Sequence, residues 1–287
     1  MAQAIPRVPF AIIGGSSTFS IRFPEDLGRA DVEVLADNLV FDTPYGESPP
    51  FKHVCYRDKE FLTCKMHGWR PPHVTRAAAS QQVFWVFQQA GVKKIFAEGG
   101  VGSINHLLEL RDLVIPHDYI DQSMRKDVGL GGPYLLIMRQ PICPTQADAL
   151  YEAAKARVAP LGRHVFKRGV YVNTDGRHFE SPAEIQAFRM WGADIVGQSI
   201  CPEVYLAREI GACYAGLYMV VNYAEGIIKD WEHRDLADIF YNEAHTIGHI
   251  LLDALERIDA EQTGCSCPDL RKPTLLVESR EAPAKKP

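Results

Sequence analysis

Three short loops of small residues, each following an apolar run, constrain this chain most: Gly14-Gly15-Ser16-Ser17, Gly99-Gly100-Val101-Gly102-Ser103 and Gly197-Gln198-Ser199. Phe10–Ile13, Val92–Ala97 and Ala193–Val196 read as the buried strands that precede them. In open α/β sheets ligands bind where strands end, and glycine lets backbone N–H groups close around an anion. Ser16 and Ser199 add hydroxyl donors. A glycine loop taken alone is equally a plain turn. Neither the Walker phosphate loop nor the Gly-x-Gly-x-x-Gly dinucleotide fingerprint is present. Patterning therefore points to an α/β protein with a candidate phosphate site.

The remaining elements agree with that class. Val32–Phe41 reads as a strand, and Phe51–Met66 as a hairpin broken at Arg57-Asp58-Lys59. Thr75–Ala90 reads as a helix stopped by Gly91, and Thr145–Val158 as a helix capped by Thr145. Gly169–Val172 is a strand, and Ser181-Pro182 opens a helix with the serine as cap. Pro202–Ile210 is a helix closed by Gly211, Cys213–Val221 a strand, and Leu236–Ile258 a final long helix. Strands alternating with helices predict one α/β domain with a central, mixed, twisted sheet flanked by helices. Its expected limits are 9–262, with an N-terminal tail over 1–8. The C-terminal tail, 263–287, should be mobile from about Glu278.

The 287 residues are 46% hydrophobic and 23% charged, enough to bury a substantial core. No apolar run approaches the roughly 18–20 residues of a membrane span, and Met1–Arg7 lacks the pattern of a secretory signal. With a net charge of −5 and no basic stripe, nucleic acid is not an expected partner. Seven cysteines without a dense spacing framework suit a reducing, cytoplasmic setting. Cys55, Cys64, Cys143, Cys201 and Cys213 read as small buried hydrophobes. Cys265-Ser266-Cys267 could form a strained disulfide or ligate a metal. No second ligand cluster lies near it in sequence, so plain thiols are the expectation.

The order of motifs carries the reading further. Ile12-Ile-Gly-Gly-Ser16, Asp42-Thr-Pro-Tyr-Gly46, His67-Gly68, Gly102-Ser-Ile-Asn105 and Asp118-Tyr-Ile-Asp121 are followed by Arg189-Met-Trp-Gly-Ala-Asp194 and Gln198-Ser-Ile-Cys-Pro-Glu203. In that order and spacing, over about residues 9–260, the chain resembles the trimeric purine nucleoside phosphorylase and methylthioadenosine phosphorylase family. The resemblance implies a nucleoside phosphorylase fold, a homotrimer or a hexamer of paired trimers, and phosphorolysis of a purine nucleoside. It implies no metal and no organic cofactor, inorganic phosphate being the co-substrate.

It also implies roles. Ser16, His67, Gly99, Gly100 and Ser199 stand at phosphate-binding positions, with His67 also catalytic, and Gln198 lies beside the ribose. Where the family carries arginine before the histidine, this chain has Met66. Lys65 and Arg70 are the nearest replacements, Arg70 preferred. Glu180 and Asn222 stand at the base positions, Asn222 catalytically. The 6-aminopurine branch has aspartates where Asn222 and Ala224 stand and a small residue in place of Glu180. A 6-oxopurine offers an N1–H donor to a carboxylate, and its O6 and N7 can accept from one carboxamide. A 6-aminopurine would leave Glu180 unpaired, costing about 1–3 kcal/mol. Hypoxanthine or guanine is therefore the expected base. At the 5′ position His233 is a candidate for a hydroxyl, and Tyr134, Leu135 and Leu136 for an apolar methylthio pocket. Two rival classes remain: a binder without turnover, favoured by Met66, and a water-using hydrolase, which lacks an aspartate-rich calcium site near the N-terminus.

Overall fold

The computed structural model describes residues 4–67, 71–176 and 178–275. At its centre the strands Lys59–Lys65, Phe10–Gly14, Lys94–Ser103 and Cys213–Tyr223 lie side by side and parallel. Phe10–Gly14 is buried along its whole length and Cys213–Tyr223 at all but its last residue. Such unbroken apolar runs, rather than alternation, mark strands covered on both faces. Phe51–Tyr56 and Val32–Leu39 extend one edge antiparallel, and Leu113–Val114 with Val165–Phe166 extends the other.

The sheet forks at the end of Lys94–Ser103. There Ile195–Gly197 joins antiparallel, pairing Ile195 with Ser103 and Val196 with Gly102, and Val170–Asn173 and Asp118–Asp121 continue parallel to it. Eleven strands form this mixed sheet among the described residues. The fork brings all three small-residue loops to one place.

Among the described residues five α-helices flank it: α1 (Arg76–Ala90), α2 (Pro144–Val158), α3 (Pro182–Met190), α4 (Ile200–Glu209) and α5 (His233–Glu256). α2 packs on α5 and α1 on α4, while α2, α4 and α5 all contact Cys213–Tyr223. Local chemistry sets their ends. Thr75 accepts from the Ala78 N–H and Gly91, at φ 77°, closes α1. Ser181 and Glu184 form a reciprocal capping box at α3.

Three details depart from the sequence expectation. The glycine-rich stretch 98–103 is strand, not loop, because it pairs with Cys213–Tyr223 as far as Ser103. Cys143, not Thr145, occupies the cap position of α2; Pro144 starts the helix, and the Thr145 hydroxyl turns back to the Cys143 sulfur at 3.1 Å. Packing also passes the expected domain limits. Val8 is buried and donates to the Ala90 carbonyl, and Arg271–Pro273 pairs with Tyr134–Leu136 above a buried Cys267 and Leu270. The residues expected to be mobile from about 278 onward lie outside the described ones.

Candidate active site

A cavity of about 620 Å³ opens at the fork of the sheet, within the range of small-molecule sites. Ser16, His67, Gly99, Gly100, Ser199, Gln198, Glu180 and Asn222 all line it. Residues separated by more than 200 positions meet there because parallel strands deliver their C-terminal ends to one edge.

The anion end is tightly built. The Ser16 hydroxyl oxygen accepts the Gly100 N–H at 2.7 Å, leaving the Ser16 proton to donate. Ser199 sits beside Tyr171, hydroxyl to hydroxyl at 3.3 Å. A Cβ at Gly15 would fall 2.0 Å from the Glu98 carbonyl oxygen, so only glycine lets these two loops touch. A Cβ at Gly100 would meet the Phe240 ring at 2.9 Å, so glycine there lets α5 roof the site.

Glu98, on the strand Lys94–Ser103, is a carboxylate facing the loop 15–18. Buried at 2% exposure, it accepts from the N–H groups of Gly15 (2.5 Å), Ser17 (2.9 Å) and Thr18 (3.1 Å), and from the Thr18 hydroxyl (2.7 Å). Burial pushes its pKa above the usual carboxylate range against the pull of these donors. Nearby Glu203 is pushed up to about 7, first by burial, although it accepts from the Tyr214 hydroxyl at 2.8 Å.

Of the two cations the sequence offers here, the Lys65 ammonium is bound to the carbonyls of Phe19 and Ile21, at 3.1 and 2.6 Å, and Arg70 lies outside the described residues. Arg76 also lines the cavity, and its charge reaches His67, Tyr171 and Glu203. Sequence reading missed it, though a signal existed. Arg76 is the first residue of α1, where the helix dipole disfavours a cation, and no acid accompanies it in that turn. His67, with its ring 5.8 Å from that of Phe19, has a pKa lowered by burial and then by Arg76. Both effects favour the uncharged ring. A second cavity cation, Arg125, donates to the Thr174 carbonyl at 2.7 Å and pairs with Asp175 at 2.9 Å, fixing the wall below Gln198.

At the other end Glu180 and Asn222 face the same space, 6% and 4% exposed. Glu180 accepts the Thr174 hydroxyl at 2.6 Å, and the Asn222 NH₂ donates to the Tyr223 carbonyl at 2.8 Å. The carboxylate keeps an oxygen for a further donor, and the amide keeps one N–H. The 5′ candidates are not among the lining residues. His233 is exposed at the start of α5, and Tyr134–Leu136 pairs with Arg271–Pro273. Leu236 and Phe240 of α5, with His178, line the cavity instead.

Fold and cavity together define an α/β protein with a small-molecule-sized site at the C-terminal ends of its parallel strands. Residues 10–256 match the family model of the phosphorylase superfamily, and the chain belongs to that family. A 6-oxopurine nucleoside phosphorylase of Pyrococcus furiosus is 33% identical, over 93% of this chain and 98% of that protein. An S-methyl-5′-thioadenosine phosphorylase of Thermococcus kodakarensis is 29% identical, over 95% and 100%. Among solved structures, methylthioadenosine phosphorylase from Schistosoma mansoni in complex with adenine superposes with a TM-score of 0.76. It is 21% identical over 91% of this chain and 95% of that one, a likeness of fold.

Proposed function

We propose that this chain cleaves the N-glycosidic bond of purine nucleosides with inorganic phosphate, releasing a free base and a pentose 1-phosphate, and that it prefers 6-oxopurines. The observation that carries this reading is the single cavity shared by Ser16, His67, Ser199, Glu180 and Asn222. The 6-oxopurine nucleoside phosphorylase relative, matched along almost its full length, supports it. Phosphate lies against Ser16, Gly99, Gly100, Ser199 and His67, with Arg76 supplying the cation that the position of Met66 lacks. Gln198 lies beside the ribose.

As the C1′–N9 bond stretches, its electron pair moves into the purine and the sugar gains positive character. A phosphate oxygen then bonds C1′. Asn222 donates toward N7 and O6, where negative charge grows, and Glu180 holds N1–H; contacts that strengthen with developing charge lower the barrier. Glu203, with its pKa near 7, spends part of its time uncharged at neutral pH, which limits repulsion of the phosphate dianion. No covalent enzyme intermediate and no organic cofactor enters this scheme. A homotrimer or paired-trimer hexamer in the cytoplasm belongs to the same reading.

A second reading concerns the 5′ substituent only. Leu236 and Phe240 face the cavity and His233 does not, which favours an apolar 5′-methylthio group over a hydroxyl. Methylthioinosine then joins inosine and guanosine as a substrate. The test is release of base from inosine, guanosine, adenosine, methylthioadenosine and methylthioinosine, each with and without phosphate. Phosphate-dependent release, faster with 6-oxopurines, is expected; equal release without phosphate means a hydrolase, and no release means a binder.

A further inference from the structure

At the opposite end of the strand Cys213–Tyr223 from Asn222, four thiols converge. Cys143, Cys213, Cys265 and Cys267 place their sulfurs all within 4.8 Å of one another. The Cys213 and Cys265 sulfurs are 3.6 Å apart, and all four thiols are free. Four thiolates at about 2.3 Å from one tetrahedral zinc lie about 3.8 Å apart, so this cluster is close to the required geometry. The sequence reading set a metal aside because no second ligand pair stands near Cys265 and Cys267. The fold supplies that pair, since the Cys143 N–H bonds the Tyr214 carbonyl and so sets the start of α2 beside the start of the strand.

Donor groups stand beside two of the four sulfurs. The Thr145 hydroxyl lies 3.1 Å from the Cys143 sulfur, and the Gln262 side-chain N–H donates to the Cys213 sulfur at 3.5 Å. Arg208 is 2% exposed and makes no ion pair among the described residues; it donates only to the carbonyls of Cys267, at 2.9 Å, and Gln140, at 2.7 Å. Its Nε–H has no hydrogen-bond partner among the described residues. A buried guanidinium without a counter-ion is costly. Four thiolates around a divalent ion carry a net charge of −2 and would neutralise it. Cys143, in the cap position of α2, also lies where the helix dipole favours negative charge.

We propose that Cys143, Cys213, Cys265 and Cys267 bind one Zn²⁺, a structural site outside the active site. Four protein ligands leave no open position for substrate. Cys213 and Asn222 are nine residues apart on one strand, about 30 Å at the usual rise. The ion ties the segment carrying Cys265 and Cys267, and with it the Arg271–Pro273 strand, to the core. Binding releases the thiol protons to solvent and involves no change of oxidation state.

The test starts from the full-length protein produced with zinc in the medium and purified without chelator or added metal. Elemental analysis should find about one zinc per chain, and intact mass under denaturing, non-reducing conditions should show seven unpaired cysteines. Protein stripped of metal and titrated with Co²⁺ alone should take up one equivalent, with the intense sulfur-to-cobalt absorption and d–d bands of a tetrahedral thiolate site. Replacing Cys265 and Cys267 together by serine should abolish the bands and lower Tm while leaving kcat unchanged; should that variant not fold, the wild-type zinc content and cobalt spectrum still decide. A mass lower by 2 or 4 Da without zinc would mean disulfides, and four accessible thiols without metal uptake would mean a plain cysteine cluster. Either result overturns the proposal.

Discussion

The two ends of the strand Cys213–Tyr223 are built on different principles. At the Asn222 end polar groups are half satisfied: Glu180 and Asn222 each spend one hydrogen bond on a neighbour and hold another toward the cavity. At the Cys213 end four thiols face one another, and none of them lines the active-site cavity. The first arrangement tolerates unmet hydrogen bonds because a ligand completes them. The second, on the zinc proposal, is completed by a bound ion and not by a substrate. Changes at the first end should therefore alter turnover, and changes at the second should alter stability.

The largest expected effect is at the turnover end. Asn222→Ala should lower kcat for inosine about 10²–10³-fold, the usual consequence of losing one donor to developing charge, while phosphate affinity and Tm hardly move. Steady-state kinetics with both substrates varied checks this, and an unchanged kcat would remove Asn222 from the chemistry. Glu180→Gln is a milder change, because it weakens acceptance of N1–H but keeps the shape. The ratio of kcat/KM for inosine over adenosine should fall by about 1–3 kcal/mol in free-energy terms.

The contrast was only partly legible in the sequence. At the turnover end Ser16, Gly100 and Ser199 sit in small-residue motifs at strand ends, while Glu180 and Asn222 are marked only by the family resemblance; all five line one cavity. Arg76 was missed because the reading sought a cation next to His67 in sequence, whereas the start of α1 brings one beside it in space. Likewise Leu236 and Phe240 of α5 carry no motif that marks them, whereas His233, at the exposed start of the same helix, does not line the cavity. The thiol end is only half legible: Cys265-Ser266-Cys267 offers a ligand pair, but its partners are not near it in sequence. Cys143, Cys213 and the Cys265–Cys267 pair come from three distant segments that meet only through the strand register and the cap of α2.

Glu203 couples turnover to stability and so tests how sharply the two are divided. Its folded-state pKa is about 7, well above the usual value of an unfolded carboxyl. The folded protein thus retains a proton that the unfolded chain has already released. This contribution to stability is full below about pH 4 and falls as pH rises, levelling off above about pH 7; its total is on the order of 3 kcal/mol. In urea unfolding between pH 5 and 8, the wild-type curve should fall more steeply with pH than that of Glu203→Gln. Parallel curves would show that Glu203 is not protonated in the folded state.

The smallest expected effect probes the thiol end through a single hydrogen bond. Thr145 follows the first residue of α2 and points its hydroxyl at the Cys143 sulfur, 3.1 Å away. The hydroxyl can donate to a thiolate, so its loss would raise the cost of holding negative charge on that sulfur. Thr145→Ala should lower the stability of the protein by about 1 kcal/mol, the net worth of one such bond, and should leave kcat and KM for nucleoside and phosphate unchanged. Because alanine also favours helix more than threonine does, Thr145→Ser, which restores the hydroxyl without that propensity, should recover most of the loss. If alanine and serine are equally stable, the hydroxyl contributes nothing to the sulfur centre. If instead either substitution changes kcat, the two ends of the strand are coupled, and the separation between a turnover end and a stability end fails.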